Sequence, residues 1–388
     1  MTSRERVLTT LEHREPDRVP GDFGATVDTS ITFLAYQNLL RHLGKEHLLR
    51  DETEAAYMDL ACGVVQVDQE VLEDLGIDCR GLVPSASPGW KGNVGLEGRD
   101  LVIRDVFGAK WFRPPGGYYF DQREGGFPLA GLDSLADIEA YPWPDLAGDD
   151  LVRGLRDRIL ALGPEYAVAV GDPVGGIFAA GFRTRGYMRF YLDLGANPAL
   201  AASLMDKFTD LKIQYWEKVL AEVGDLINVV VFEDDLGQQD RPLISPDMYR
   251  RLIKPRHKRL FAFVKERMSD SAYLLLHSDG SIYSLIPDLI EIGVDILNPL
   301  QVNAAGMDSK KLKKEFGRDL VFWGGGVDTQ GVLSFGTPQQ VRDEVKRRID
   351  DLAPGGGFVF STIHNIQPEV PPANLTAMWQ TWQEYGRY

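Results

Sequence analysis

The chain has 388 residues, 44% of them hydrophobic, enough to bury one large core or two ordinary ones. Its 42 Lys and Arg against 57 Asp and Glu leave a net charge of −15, which argues against nucleic acid or an anionic membrane as partner. Two cysteines, Cys62 and Cys79, are too few for a disulfide framework and read as thiols in a reducing cytoplasm.

Thr2 or Ser3 can cap a first helix carrying Val7, Leu8 and Leu11 on one face, and Pro16 ends it. The opening is charged and lacks the apolar core of a secretory signal. No apolar run approaches the roughly 20 residues of a membrane span. A cytoplasmic location is therefore expected. A short apolar step, Val19 to Phe23, follows. Residues 29–75 read as mostly helical, giving an N-terminal helical part over 1–75. From 77 to 130 the pattern becomes β-like, with Leu101–Val106 and Tyr118–Phe120 set between Gly and Pro, so 85–130 reads as a hairpin-like insertion. Residues 133–148, with Pro142 and Pro144, read as an extended connector.

A rhythm then sets in. AVAV (167–170) precedes GDPVGG, INVVVF (227–232) precedes EDDLG, and YLLL (273–276) precedes HSDG. DILN (295–298) precedes PLQ, LVFW (320–323) precedes GGGVD, and FVFS (358–361) precedes TIHN. Continuous apolar runs imply strands buried on both faces, hence a parallel sheet covered by helices. Residues 203–224 illustrate such a helix, with apolar positions at 204, 208, 211, 215, 216, 219 and 220. Adding strands near 19–23 and 64–83 gives eight. The predicted fold is a single (β/α)8 barrel over 1–388, with the N-terminal helical part and the insertion as additions. An open doubly wound sheet is the alternative, but GDPVGG lacks the GxGxxG spacing that fold would carry.

In such a barrel the active site lies at the carboxyl ends of the strands. The polar residues there are Asp172, Glu233, Asp234, Asp235, His277, Asp279, Asn298, Gln301, Asp328, His364 and Asn365. His277 and Asp279 are two residues apart and so share a side of an extended chain, where they could hold a metal ion or share a proton. The bland reading makes Asp279 a helix cap and His277 a residue satisfied by a carbonyl. Glu233-Asp234-Asp235 could supply a ligand or a base, or be a solvated turn. Gly324-Gly325-Gly326 resembles a close-approach loop for a ligand, without the Lys-Ser/Thr of a phosphate loop. Arg183 and Arg185 could pair with substrate carboxylates or lie on the surface.

The segments TSRERVLTTLEHREPDRVP, FEDDLGQQDRPLISPDMYRRLIKPRHKRL, HSDGSIYSLIPDLIEIGVDILNPLQ and GGGFVFSTIHNIQPEVPPANLTAM resemble the uroporphyrinogen decarboxylase superfamily, nearly end to end. That resemblance implies a (β/α)8 barrel. The decarboxylases of porphyrin biosynthesis carry an Arg-rich segment with an RQAGR-like core after the first strand. Here the stretch is GDFGATVDTSITF, with no arginine, although His364 matches the decarboxylases' C-terminal histidine. The methyltransferases of the superfamily work with corrinoid proteins and bind zinc through a His-x-Cys pair and a distant Cys. His277 matches that histidine, Asp279 takes the place of the first cysteine, and His364 lies near the second.

The resemblance therefore implies a harder metal site, built from His277, Asp279 and His364 with Glu233, that takes zinc or another divalent ion. Asp234, Asp235 and His364 would manage protons, and Asp172, Asn298, Gln301 and Asp328 would orient a small methylated substrate. A methyltransferase or demethylase passing a methyl group to a corrinoid protein is the expected function. A decarboxylase and a ligand-binding barrel without catalysis are the alternatives. A homodimer is compatible with each.

Overall fold

A computed structural model describes residues 1–84 and 94–388. The first residues of the expected insertion, 85–93, lie outside the described residues.

The six apolar runs form strands, and a Cys-Arg-Gly-Leu strand precedes them: β1 (Cys79–Leu82), β2 (Ala167–Val170), β3 (Val229–Glu233), β4 (Tyr273–His277), β5 (Ile296–Asn298), β6 (Val321–Trp323) and β7 (Phe358–Val359). Each pairs in parallel with the next, in chain order. The extended segment 19–22 joins the two outer strands. Phe360 N–H donates to the Pro20 carbonyl and Asp22 N–H to the Phe360 carbonyl, while Asp78 N–H donates to the Gly21 carbonyl from the other side. This eighth stave curls the sheet into the expected (β/α)8 barrel.

Side chains alternate across each strand. Ala169, Val231, Leu275, Ile296, Val321 and Val359 point inward and pack as one cluster. Their neighbours Val168, Val230, Leu274, Leu297, Phe322 and Phe358 point outward into the helical layer. The helix Ser3–Leu11 plugs the barrel's N-terminal end with Val7 and Leu11, which join the interior cluster. Gly357 N–H, just ahead of β7, donates to the Thr10 carbonyl, and Arg4 N–H donates to the Glu165 carbonyl ahead of β2. Thr2 and Glu5 form a capping box at the helix start. With that end closed, ligands reach the interior at the carboxyl ends of the strands.

The helix Pro198–Val223 buries every apolar position predicted for it. The tight step from β4 to β5 is bridged by the short helix Ile286–Glu291. Three expectations are corrected. The segment 133–148 is not wholly extended, because Ser134 and Asp137 form a capping box that starts the helix Leu135–Ala140. Residues 29–75 are not mostly helical: beside the helices Phe33–His42 and Gln69–Asp74 they form an antiparallel sheet of 31–32, 64–65 and 57–59. Val64 and Val65 are β-branched and buried, and a short central strand satisfies both. In the insertion, strands 95–97, 100–104 and 110–113 form a meander. Tyr118–Phe120 forms no strand, and Tyr118 and Tyr119 are exposed with no apolar face to pair on. Among the described residues no helix is long and apolar enough to cross a membrane.

Candidate active site

His277 is the last residue of β4 and follows the inward parity of Leu275, so it points into the barrel mouth. Its Nδ1 lies 2.6 Å from Asn298 Oδ1, at the end of the neighbouring β5. Asn298 Nδ2 donates to the Trp323 carbonyl at 2.8 Å, so Oδ1 is its acceptor and His277 donates from Nδ1. That leaves Nε2 facing the mouth. Trp323 in turn donates from Nε1 to Asp22 Oδ2 at 2.7 Å, which ties the support to the closing stave.

Four further groups surround the imidazole. Asp28 Oδ2 stands 3.4 Å from His277 Nδ1, and Asp28 Oδ1 stands 3.6 Å from His364 Nε2. Asp235 Oδ1 and Asp279 Oδ1 lie 3.8 and 4.0 Å from His277 Nε2. His364 Nε2 is also 3.6 Å from Asp279 Oδ2. Ligand atoms of Asp28, His277 and His364 lie within 4.8 Å of one another, as do those of Asp235, His277 and Asp279. Asp279 Oδ1 is buried and has no hydrogen-bond partner.

Burial opposes charge on His277, but Asp28, Asp279 and Asp235 outweigh it and the imidazole is pushed up to about 10. Burial pushes Asp28 up to about 6, against the pull of the two histidines. Burying several carboxylates beside one cation is costly unless something compensates them. The set of nitrogen and oxygen donors, with one carboxylate oxygen left unpaired, fits a divalent ion.

Sequence reasoning missed Asp28. It sits in the loop after the closing stave, which is held by Thr26 and Thr29 and by Ala25 N–H donating to Asp22. The position after the first stave was the available signal.

Other expected site residues are placed differently. Asp234 follows the outward parity of Phe232 and leaves the mouth. Its carboxylate accepts from Phe178 N–H and Ala179 N–H, capping the helix Ile177–Arg185, and from His257 Nε2 at 2.9 Å. Asp172 also turns outward, and its oxygens accept from Lys212 Nζ at 2.8 and 2.9 Å and from Trp216 Nε1. Gln301 accepts from Gly280 N–H at 2.6 Å and holds the loop carrying Asp279. Asp328 accepts from Asn303, Gln330 N–H and Gly331 N–H and shapes its own turn. Glu233 points inward but faces Arg183, 3.3 Å away, and lies outside both convergent ligand sets. Asp28 and Asp235 take the place expected of it.

The glycine turn is a packing device: a Cβ on Gly326 would strike the Phe360 ring at 2.4 Å, and one on Gly325 would strike Leu300 at 2.7 Å. Arg185 is structural, donating to Asp193 and to the Leu129 and Ala130 carbonyls. Cys79 faces the barrel interior, and Cys62 is exposed; neither belongs to a convergent set.

The cluster stands between two cavities. One, of about 350 Å³, is polar and includes Asp279, His364, Gln330 and Gln367. The other, of about 200 Å³, lies beyond Glu233 under the meander of the insertion. A smaller cavity of about 30 Å³, lined by Asp28, Val27, Val83 and Glu233, adjoins it.

The family described as uroporphyrinogen decarboxylase (URO-D) matches residues 173–385, which include β3 to β7 and their strand-end residues. The chain belongs to the uroporphyrinogen decarboxylase family. Among its members, the uroporphyrinogen decarboxylase of Geobacillus kaustophilus is 27% identical over 66% of this chain and 76% of its own length. A uroporphyrinogen decarboxylase of Thermus thermophilus is 27% identical over 52% of this chain and 53% of its own length. Among solved structures, a methyltransferase from Methanosarcina mazei superposes with a TM-score of 0.63 over 99% of both chains, at 17% identity. This likeness shows that the fold is shared along the whole chain. The family is one of enzymes, and both a decarboxylase and a methyltransferase stand among the similar proteins.

Proposed function

We propose that this chain is a divalent-metal-dependent methyltransferase that removes a methyl group from a small methylated substrate and passes it to a corrinoid protein. The observation that carries the reading is the convergence of His277, Asp28, Asp235, Asp279 and His364, with Asp279 Oδ1 buried and unpaired. His277, Asp279 and His364, with Asp28 and Asp235, would hold the ion. Nitrogen and carboxylate donors without thiolate suit zinc and harder divalent ions alike. When bound, such an ion supplies Lewis acidity at the substrate's ether oxygen or amine nitrogen.

The chain's own residues do the rest. Asn298 fixes the His277 tautomer and ring plane. Asp235 accepts from Asp279 N–H at 3.1 Å and sets the Asp279 loop against β3. The methyl group leaves without its bonding electron pair, so the oxygen or nitrogen left behind needs a proton. That proton comes from solvent through the polar cavity beside Asp279 and His364. The likeness in fold to the Methanosarcina mazei methyltransferase supports this reading.

The curated relatives favour a second reading, decarboxylation of a porphyrinogen. The charge at the mouth weighs against it. Residues 21–33 contain no arginine and place Asp28 at the cluster, where a polycarboxylate substrate would be repelled. The deciding experiment incubates metal-loaded protein with methyl ethers and methylamines and follows methylation of cob(I)alamin by absorbance. Turnover that is lost in Asp279→Ala is the expected result. Decarboxylation of a porphyrinogen by the metal-free protein, with no methyl transfer when loaded, would overturn the proposal.

A further inference from the structure

The cavity beyond Glu233 has walls that state what it can hold. Val83 at the end of β1, Met58 and Leu60 form one side, and Ile103, Phe107 and Trp111 of the insertion form the other. Its acids are already committed. Asp105 accepts from Phe107 N–H, Ala109 N–H and Trp111 Nε1, Asp59 accepts from Cys62 N–H, and Asp172 is paired with Lys212. Glu233 faces Arg183.

Of the two arginines on the cavity, Arg104 is exposed and donates to the Gly108 carbonyl, and Arg183 is the less exposed donor left to a ligand. Its guanidinium passes over Gly175, where a Cβ would come within 2.6 Å of it, and lies 5.9 Å from the centre of the Trp111 ring. Among the described residues Glu233 is the guanidinium's sole hydrogen-bond partner. Because Glu233 balances its charge and Asp59 and Asp105 stand nearby, a second carboxylate would enter a negative field. A cation would meet Arg183. A neutral acceptor oxygen meets neither penalty.

We infer that this cavity is the substrate-body subsite, and that it selects a small neutral aromatic methyl ether, its ring against Trp111 and Phe107 and an oxygen facing Arg183. The inference rests on the methyl-transfer reading for its placement beside the cluster. The cavity's volume of about 200 Å³ lies below the ~300–1,000 Å³ of drug-sized pockets, which limits the ligand to a single ring with small substituents. The smaller cavity between Val27, Asp28 and Glu233 receives that ring's methylated edge, with Asp28 shared with the cluster.

The test measures binding by calorimetry with 1,3-dimethoxybenzene, methoxybenzoate and tetramethylammonium as probes, on the intact protein and on Trp111→Ala and Arg183→Met. The two variants lie on separate elements, the meander and the helix Ile177–Arg185. Dimethoxybenzene should bind best, since it offers one methylated oxygen to the cluster and a second to Arg183, and each variant should weaken it by about tenfold, the scale of one lost ring contact or hydrogen bond. Stronger binding of either charged probe, or dimethoxybenzene binding unchanged in both variants, would overturn the assignment. Binding with this pattern but no methyl transfer would leave the subsite standing and remove the proposed reaction instead.

Discussion

Asn298 Oδ1 lies 2.6 Å from His277 Nδ1, and Asn298 Nδ2 is already given to the Trp323 carbonyl. The amide therefore has one way to face the histidine, and the histidine one way to face the mouth. Asn298→Ala should free the ring and leave the Trp323 carbonyl unpaired. Metal affinity should fall about 10–100-fold, the usual effect of losing a partner behind a ligating histidine. Competition against a chromogenic chelator reads this directly, and an unchanged affinity would mean that Asn298 supports the fold alone.

Asp279 stands where thiolate-bearing relatives are expected to place a cysteine. Asp279→Cys should shift preference toward zinc and away from manganese, since a soft ligand replaces a hard one. Metal content after growth with both ions present gives the ratio. A ratio equal to that of the unaltered protein would remove Asp279 from the ligand set.

Asp234 and Asp235 are adjacent but should behave oppositely. Asp234→Ala strips a buried acceptor from two helix N–H groups and His257, and should cost about 2–4 kcal/mol of stability. Asp235→Ala should change stability little and weaken metal binding, because its side chain is 40% exposed and faces His277 Nε2. Denaturant melts of the two variants, beside their metal affinities, separate the roles.

This pair also shows what the sequence disclosed. Six of the eight staves were legible because apolar runs buried on both faces leave a strong trace; β1, Cys-Arg-Gly-Leu, leaves none. The strand ends were legible for the same reason. What went unread was parity beyond the strand. With Val231 facing inward, Glu233 and Asp235 follow and Asp234 does not, and the same alternation turns Asp172 outward from Ala169. Asp28 was harder to find, because its stave is marked by Val19 to Phe23 alone and the loop after it has no apolar periodicity. Lys212, buried against Asp172 from the middle of an apolar helix face, could be placed only with the third dimension in hand.

Lys212 and Asp172 are both almost fully buried, with side chains 2% and 3% exposed. Lys212→Met removes one charge and strands the other, so the protein should lose about 3–5 kcal/mol. The paired change Lys212→Met with Asp172→Leu should recover much of that loss. Thermal unfolding of the single and double variants measures it, and a double variant no better than the single would contradict the assignment of Asp172 to structure.

At the barrel's closed end, Arg6 donates to both oxygens of Asp17 at 2.6 and 2.8 Å and holds its carboxyl well below the usual carboxylate range. A carboxylate with a depressed folded pKa stabilises above its unfolded value, near 4, and that contribution fades as pH falls toward the folded value. Asp17→Asn should therefore be less stable than the unaltered protein at pH 7, with the gap closing below about pH 4. Urea melts across pH 2–7 follow it, and a gap that widens in acid would be the wrong sign.

The metal content of the purified protein tests the central claim most directly. One divalent ion per chain, lost in both His277→Ala and Asp28→Ala but kept in Asp234→Ala, is the predicted result. A protein that binds no divalent ion under any loading condition, or one whose ion survives both of the first two substitutions, would contradict the account.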